Sequence, residues 1–215
     1  QLKADRLTLA GIIANQKQKH IVQTLFPLTT STNGWTNVAG QTVAAYEADR
    51  VAYNAWLRDT SASGFVAQAL ALYPSARIAI FDVCAYAEVN SSGVLTLGGG
   101  FWKPPTGAAL FTGAVTGGAG AKNSFTDTSM TSAANTYRGM GIKWLTGPNA
   151  NTCTGIQYQR SNGQFGTSGS PNNITVGDTY EIWADLPTKD GTHPLSFTVA
   201  TCAAAFTSNF MGLVE

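Results

Sequence analysis

The 215-residue chain is 44% hydrophobic, 10% aromatic and 12% charged, enough apolar surface for a sizeable core and a composition that excludes disorder as the main state. Thirteen Lys and Arg against twelve Asp and Glu leave a net charge of +1, without the basic excess that phosphate-backbone binding requires, so nucleic acid is excluded as a partner. No apolar run approaches the roughly 18 residues of a membrane span, which argues against membrane insertion.

Leu2, Leu9, Ile12 and Ile13 share one face of a predicted helix over residues 2 to 18, closed by Lys17, Lys19 and His20, cations suited to a helix C-terminus. The run from His20 to Pro27 predicts a strand stopped by proline. A Thr/Ser/Asn/Gly-rich loop from Thr29 to Gly40 follows, then helical spacing through Val43, Ala44, Ala48, Val51 and Ala55 to Arg58, and a further helix over Phe65 to Tyr73. Ala76 to Val83 is short and apolar after Pro74 and predicts a buried strand. Strand, helices and strand make a βαβ unit, so residues 1–92 are assigned to an α/β layer. Most of the 23 glycines fall between Gly93 and Gly191, and there helical periodicity gives way to short strand-like runs. Residues 93–187 are therefore assigned to a β module, with strands at Thr136 to Leu145, Thr154 to Gln159 and Thr179 to Ala184. Ser161-Asn162-Gly163 and Val176-Gly177-Asp178 are its hairpin turns. Val199, Ala203, Phe206 and Phe210 then mark an amphipathic helix within the last segment, 188–215.

Imidazole chemistry can use only His20 or His193, the two histidines of the chain. His20 reads as a donor at a helix end. His193 follows Asp190 by three residues in a turn, a spacing that lets the carboxylate hold Nδ1 and leaves Nε2 outward as a general base. The same residues also fit a plain turn with a Thr192 cap and Pro194 opening the final helix. Cys84, Cys153 and Cys202 are too scattered for a disulfide framework or a metal knuckle, and buried thiols are expected. No metal or other cofactor is expected.

Asp190-Gly-Thr-His193-Pro194 ahead of a C-terminal helix resembles the last motif of the SGNH (GDSL-like) hydrolase family, most closely its bacteriophage and prophage versions. The stretch from Gln23 through Trp35 to Gln41, followed by Arg50 to Trp56, is similar to the segment after that family's third block. The resemblance implies an α/β fold, part of a three-layer, flavodoxin-like parallel-sheet domain interrupted by a β-rich insert. It implies a serine esterase removing acyl groups, acetyl foremost, from a bacterial surface polysaccharide, with Asp190 and His193 as catalytic acid and base. The family's Gly-Asp-Ser motif and its oxyanion-hole Gly and Asn blocks have no counterpart here. Ser63 and Ser170 lack the strand-to-helix turn that would aim a hydroxyl at the imidazole. The expected partner is therefore an N-terminal, serine-bearing part of the same precursor, in keeping with a chain that starts at Gln1. This chain alone should be nearly inert.

At the carboxyl ends of parallel strands, Asn33 and Trp35 are expected to border the substrate cleft, Trp35 as a stacking platform for a sugar or as a cover for the sheet edge. Trp102 offers the same two options, and Asp82 either faces the cleft or caps. In the insert, Ser124 to Asp127, Asn135 to Met140, Leu145 to Asn149 and Val176 to Ile182 resemble small β modules of phage tail and spike proteins. They act as turn scaffold or as a contact surface for glycan, a neighbouring virion subunit or a second copy. The location implied is a virion or the extracellular space. The alternative function is a catalytically inactive structural or receptor-binding virion protein, and a carbohydrate-binding module centred on the insert is a third option.

Overall fold

A computed structural model describes residues 1–118 and 120–210. Helix α1 (Leu2–Asn15) stops where Lys17 enters the left-handed region (φ 58°) and donates its N–H to the Ala14 carbonyl. Its inward face is made of the small residues Ala10, Gly11 and Ala14, and a Cβ on Gly11 would come within 2.4 Å of the Tyr73 ring. Strand β1 (Lys19–Gln23) later receives β4 (Arg77–Phe81) as a parallel neighbour, in register from Lys19 opposite Arg77 to Gln23 opposite Phe81. Between them come the β2 (Thr29–Ser31) and β3 (Gln41–Val43) hairpin, then helices α2 (Glu47–Arg58) and α3 (Phe65–Leu72). Alternation sends Val22, Ile78 and Ile80 into a cluster with Ala10, Tyr53, Trp56, Leu57, Phe65 and Ala69 of the three helices. On the other face, Phe81 meets Phe206 of α5 (Ser196–Phe210) edge-on at 5.1 Å, beside Val83, Cys84 and Cys202.

The larger sheet has six antiparallel strands, β7 (Phe111–Ala114), β8 (Ser124–Thr126), β9 (Gly141–Trp144), β10 (Cys153–Gln159), β11 (Gln164–Thr167) and β12 (Thr179–Trp183). They lie in the order β7-β12-β9-β10-β11-β8. The sheet curls until its outer strands meet: Gly117, just past β7, bridges Thr126 of β8 and exchanges backbone hydrogen bonds with it. Its interior is aromatic, with Phe125 stacked on Phe165 at 4.9 Å and edge-on to Trp144 at 5.3 Å and to Tyr180 at 5.1 Å. One carboxylate is buried at its rim, where Asp127 accepts from Tyr180 Oη (2.8 Å), Ala114 N and both Ser129 donors. Short α4 (Cys84–Ala87) and the antiparallel pair β5 (Glu88–Val89) and β6 (Phe101–Trp102) lead from the helical part toward this barrel-like sheet. A fourth cluster, of Trp35, Ala87, Trp102, Cys153, Leu186 and Leu195, joins residues from every part of the chain.

The expected three-layer α/β fold with a flavodoxin-like parallel sheet is overturned. Among the described residues parallel pairing is confined to two strands, and the dominant sheet is antiparallel. Parallel neighbours need a long crossover, usually an α-helix, and among the described residues α2 and α3 supply one between Gln23 and Arg77. The connections between the strands after residue 110 hold no α-helix among the described residues. Several local expectations shift as well. The region from Thr29 to Gly40 is not all loop, since it holds β2 and a 3-10 turn at Val38–Gly40. Left-handed Asn135 and Gly139 restrict the expected strand from Thr136 to Gly141–Trp144. Val176-Gly177-Asp178 is a turn, with Gly177 at φ 92°, but it leads into β12 from a strand that is not its neighbour, so no hairpin forms there. Phe210, expected on the apolar stripe of the last helix, lies outside the described side chains, and residues 211–215 lie outside the described residues. Among the described residues no helix is long and apolar enough to cross a membrane.

Candidate functional site

The segment from Thr188 to Pro194 is a closed turn between the barrel and α5. Thr188 holds it from inside: its hydroxyl donates to the His193 carbonyl (2.7 Å) and accepts the Gly191 N–H (3.0 Å). Lys189 N–H also reaches the His193 carbonyl, and Thr188 bridges Pro194. Gly191 sits at φ 81°, and a Cβ there would lie 1.6 Å from the Thr29 carbonyl oxygen, so only glycine lets the turn press against β2.

Within this frame, Asp190 Oδ1 accepts the backbone N–H groups of Thr192 (3.0 Å) and His193 (2.8 Å), while Oδ2 lies 2.8 Å from His193 Nδ1. Partial burial pushes the Asp190 pKa up. The His193 N–H, its imidazole and the Thr192 N–H outweigh that effect and hold the carboxyl below the usual carboxylate range. An ionised carboxylate can only accept, so in the neutral imidazole Nδ1 carries the proton and Nε2 presents a lone pair. The His193 side chain is 69% exposed and that of Asp190 42%, and no hydrogen bond to Nε2 occurs among the described residues. The pair has the geometry of a general base and its orienter, open to solvent.

Two open apolar grooves flank it. One of about 430 Å³ includes Thr192 with Leu25, Phe26, Leu28, Tyr46 and Tyr53. The other, about 510 Å³, includes Pro194 with Ile21, Phe26, Phe81 and Phe206.

Trp35 comes close to the pair without joining it. Its ring lies against the Gly191 backbone, but the residue is 5% exposed and its indole N–H donates to Thr29 Oγ1 at 2.8 Å. The expected sugar platform is corrected on this point: the ring faces are spent on the core. Asn33 is half-buried and bonded within its own loop, accepting from Ser31 Oγ and donating to the Asn37 carbonyl. Trp102 is fully buried, stacked on Phe26 at 5.1 Å, and its indole N–H donates to the Gly191 carbonyl at 2.8 Å. Asp82 clamps Arg58 through two hydrogen bonds (2.6 and 2.8 Å) and accepts Thr24 Oγ1, just ahead of α4 and on the wall of an open groove with Leu57, Val66 and Ile80. His20 is a buried strand residue edge-on to Phe65, not a helix cap, and burial reinforced by Arg6 lowers its pKa.

Ser63 bonds to Asp59 and Ser61, and Ser170 is buried with its hydroxyl unpartnered; neither touches His193. The three cysteines are buried and free, with burial pushing Cys84 and Cys153 up to about 12, so neither supplies a thiolate near neutral pH. No group of metal-ligating side chains occurs among the described residues. Thr188, the brace of the turn, carries a recognisable sequence signal, a hydroxyl two residues before Asp-Gly. The buried cluster in which Arg50 bonds Glu47, Glu88, the Leu25 carbonyl and Cys84 Sγ has no such local signature. Comparison with protein-family models, curated proteins and solved structures finds no match.

Proposed function

We propose that this chain carries the acid–base half of an SGNH-like serine esterase that removes acyl groups, acetyl foremost, from a bacterial surface polysaccharide. The observation that carries the proposal is the 2.8 Å contact between His193 Nδ1 and an Asp190 carboxylate already fixed by two backbone N–H groups, with Nε2 left outward. In this mechanism Nε2 takes the proton of a serine hydroxyl as the oxygen attacks the ester carbonyl, then delivers that proton to the departing sugar oxygen. Water repeats the sequence on the acyl-serine, releasing the carboxylic acid and restoring the serine. Asp190 keeps Nδ1 protonated and stabilises the imidazolium that forms at each transfer. The serine and the oxyanion-hole donors come from polypeptide outside the described residues, the N-terminal part of the same precursor in this proposal, and the site of action is a virion or the extracellular space.

The rival is a structural or receptor-binding tail or spike protein, alone or as a multimer. It is favoured by one observation, the lack of any described nucleophile hydrogen-bonded to Nε2. Turnover of p-nitrophenyl acetate separates the two. The protein isolated with its native companions should hydrolyse the ester, the isolated chain should not, and His193→Ala should abolish turnover in the assembly. Native material that is inactive, or activity that survives His193→Ala, favours the rival.

A further inference from the structure

The carbonyl of Gly191, between the two members of the acid–base pair, is the acceptor through which the rest of the molecule grips the turn. It receives the indole N–H of Trp102 at 2.8 Å and the backbone N–H of Thr29 at 3.2 Å. Trp102 is itself fixed in two ways. Its ring is stacked on Phe26 at 5.1 Å, and the buried Gln41 amide reads its backbone reciprocally, donating to its carbonyl and accepting its N–H, both at 2.9 Å. From these contacts we infer that Trp102 and Gln41 are positioning residues for the Asp190–His193 pair, Trp102 acting through one buried indole N–H on Gly191, 89 residues away in sequence, and Gln41 through the backbone of Trp102.

The physical basis is the exposure of the pair itself. Two side chains that are 69% and 42% exposed have little packing of their own to hold them, so their alignment depends on the backbone of the turn. The Thr188 hydroxyl closes that turn internally but does not fix it on the domain. Removing the indole N–H leaves the buried Gly191 carbonyl with one donor instead of two and frees the Gly191–Thr192 peptide, whose N–H holds Asp190 Oδ1, to rotate. Rotation there moves Oδ2 away from Nδ1, and the imidazole reverts to the tautomer mixture of a solvated histidine.

The inference rests on the esterase proposal only for its catalytic meaning, and its test needs no activity. In the full chain with ¹⁵N-labelled histidine, neutral His193 should show the Nδ1–H tautomer, with buried His20 as the internal reference. Trp102→Phe keeps an aromatic ring against Phe26 and deletes the N–H. It should cost His193 its Nδ1–H signature and shift the Asp190 carboxyl midpoint upward, while His20 is unchanged. A merely structural role for Trp102 would lower the melting temperature and leave both signals as they were, and that result overturns the inference. Should Trp102→Phe not fold, Gln41→Met decides: a smaller change of the same kind supports the inference, and an unaltered tautomer overturns it. Failure here leaves the esterase proposal standing, and failure of the turnover experiment leaves this positioning role standing.

Discussion

Asp190 and His193 act over three residues, and that is why their geometry was legible in the sequence. An Asp-Gly-Thr-His turn brings carboxylate and ring together by local backbone preference alone. Substitution of Asp190 by Asn tests its part in catalysis. With Oδ1 still accepting the two backbone N–H groups, the amide NH₂ faces Nδ1 and forces the proton onto Nε2, so on the esterase proposal the assembly should lose about 10⁴ in kcat, as triad carboxylate replacements do. Trp35 shows where a single residue is not legible. Its nearby partner Thr29 lies in its own hairpin, but the groups that bury it, Cys153, Leu186 and Gly191, arrive from more than a hundred residues away. Asp82 gives a stability prediction. Burial raises its pKa, but Arg58 and Thr24 outweigh this and hold it below the ordinary 3.8. A depressed folded pKa means that its contribution is complete above the ordinary value and is lost as pH falls through the lower folded value. Asp82→Asn should therefore lower stability near neutral pH by about 1–3 kcal/mol and flatten the acid limb of a denaturant-midpoint profile.

Among the elements, helices and the parallel pair could be read because apolar spacing and proline breaks are local signals: α2, α3 and β4 fall within a few residues of expectation. His20 opens the expected strand run, but its reading as a helix-end donor fails: the left-handed Lys17 has already turned the chain, and His20 is the second residue of an in-register strand. The β2–β3 hairpin escaped because three-residue polar strands carry no measurable alternation. In the antiparallel sheet, Tyr180 links β12 to Asp127 beside β8. Tyr180→Phe keeps the ring in the aromatic core but removes one donor from a buried carboxylate, and it should cost about 1–3 kcal/mol by chemical denaturation. An unchanged midpoint would mean that the other donors already satisfy Asp127.

For the whole molecule, sequence patterns located a β-rich stretch but not how its strands close on one another. The pairing of Gly117 with Thr126 and the order of the six strands depend on contacts with no local signature. The parallel βαβ unit is real, but extending it to a full three-layer sheet came from the family resemblance rather than from any further strand in the chain. Arg50 helps to join the parts. It binds Glu47 on its own helix, the Leu25 carbonyl after β1 and Glu88 of β5, which in turn accepts the Gly100 N–H. Its burial lowers the guanidinium pKa, but the two carboxylates raise it further, so the charge is permanent. Arg50→Met leaves two buried carboxylates without a cation and should cost about 3–5 kcal/mol, most of it recovered when Glu47→Gln and Glu88→Gln are added. On the esterase proposal, His193 serves a serine that lies outside the described residues. A fluorophosphonate probe applied to native material, followed by peptide mapping, tests it most directly. We expect covalent labelling of one serine on polypeptide that travels with this chain, lost in His193→Ala, whereas no labelled serine, or labelling indifferent to His193, would contradict it.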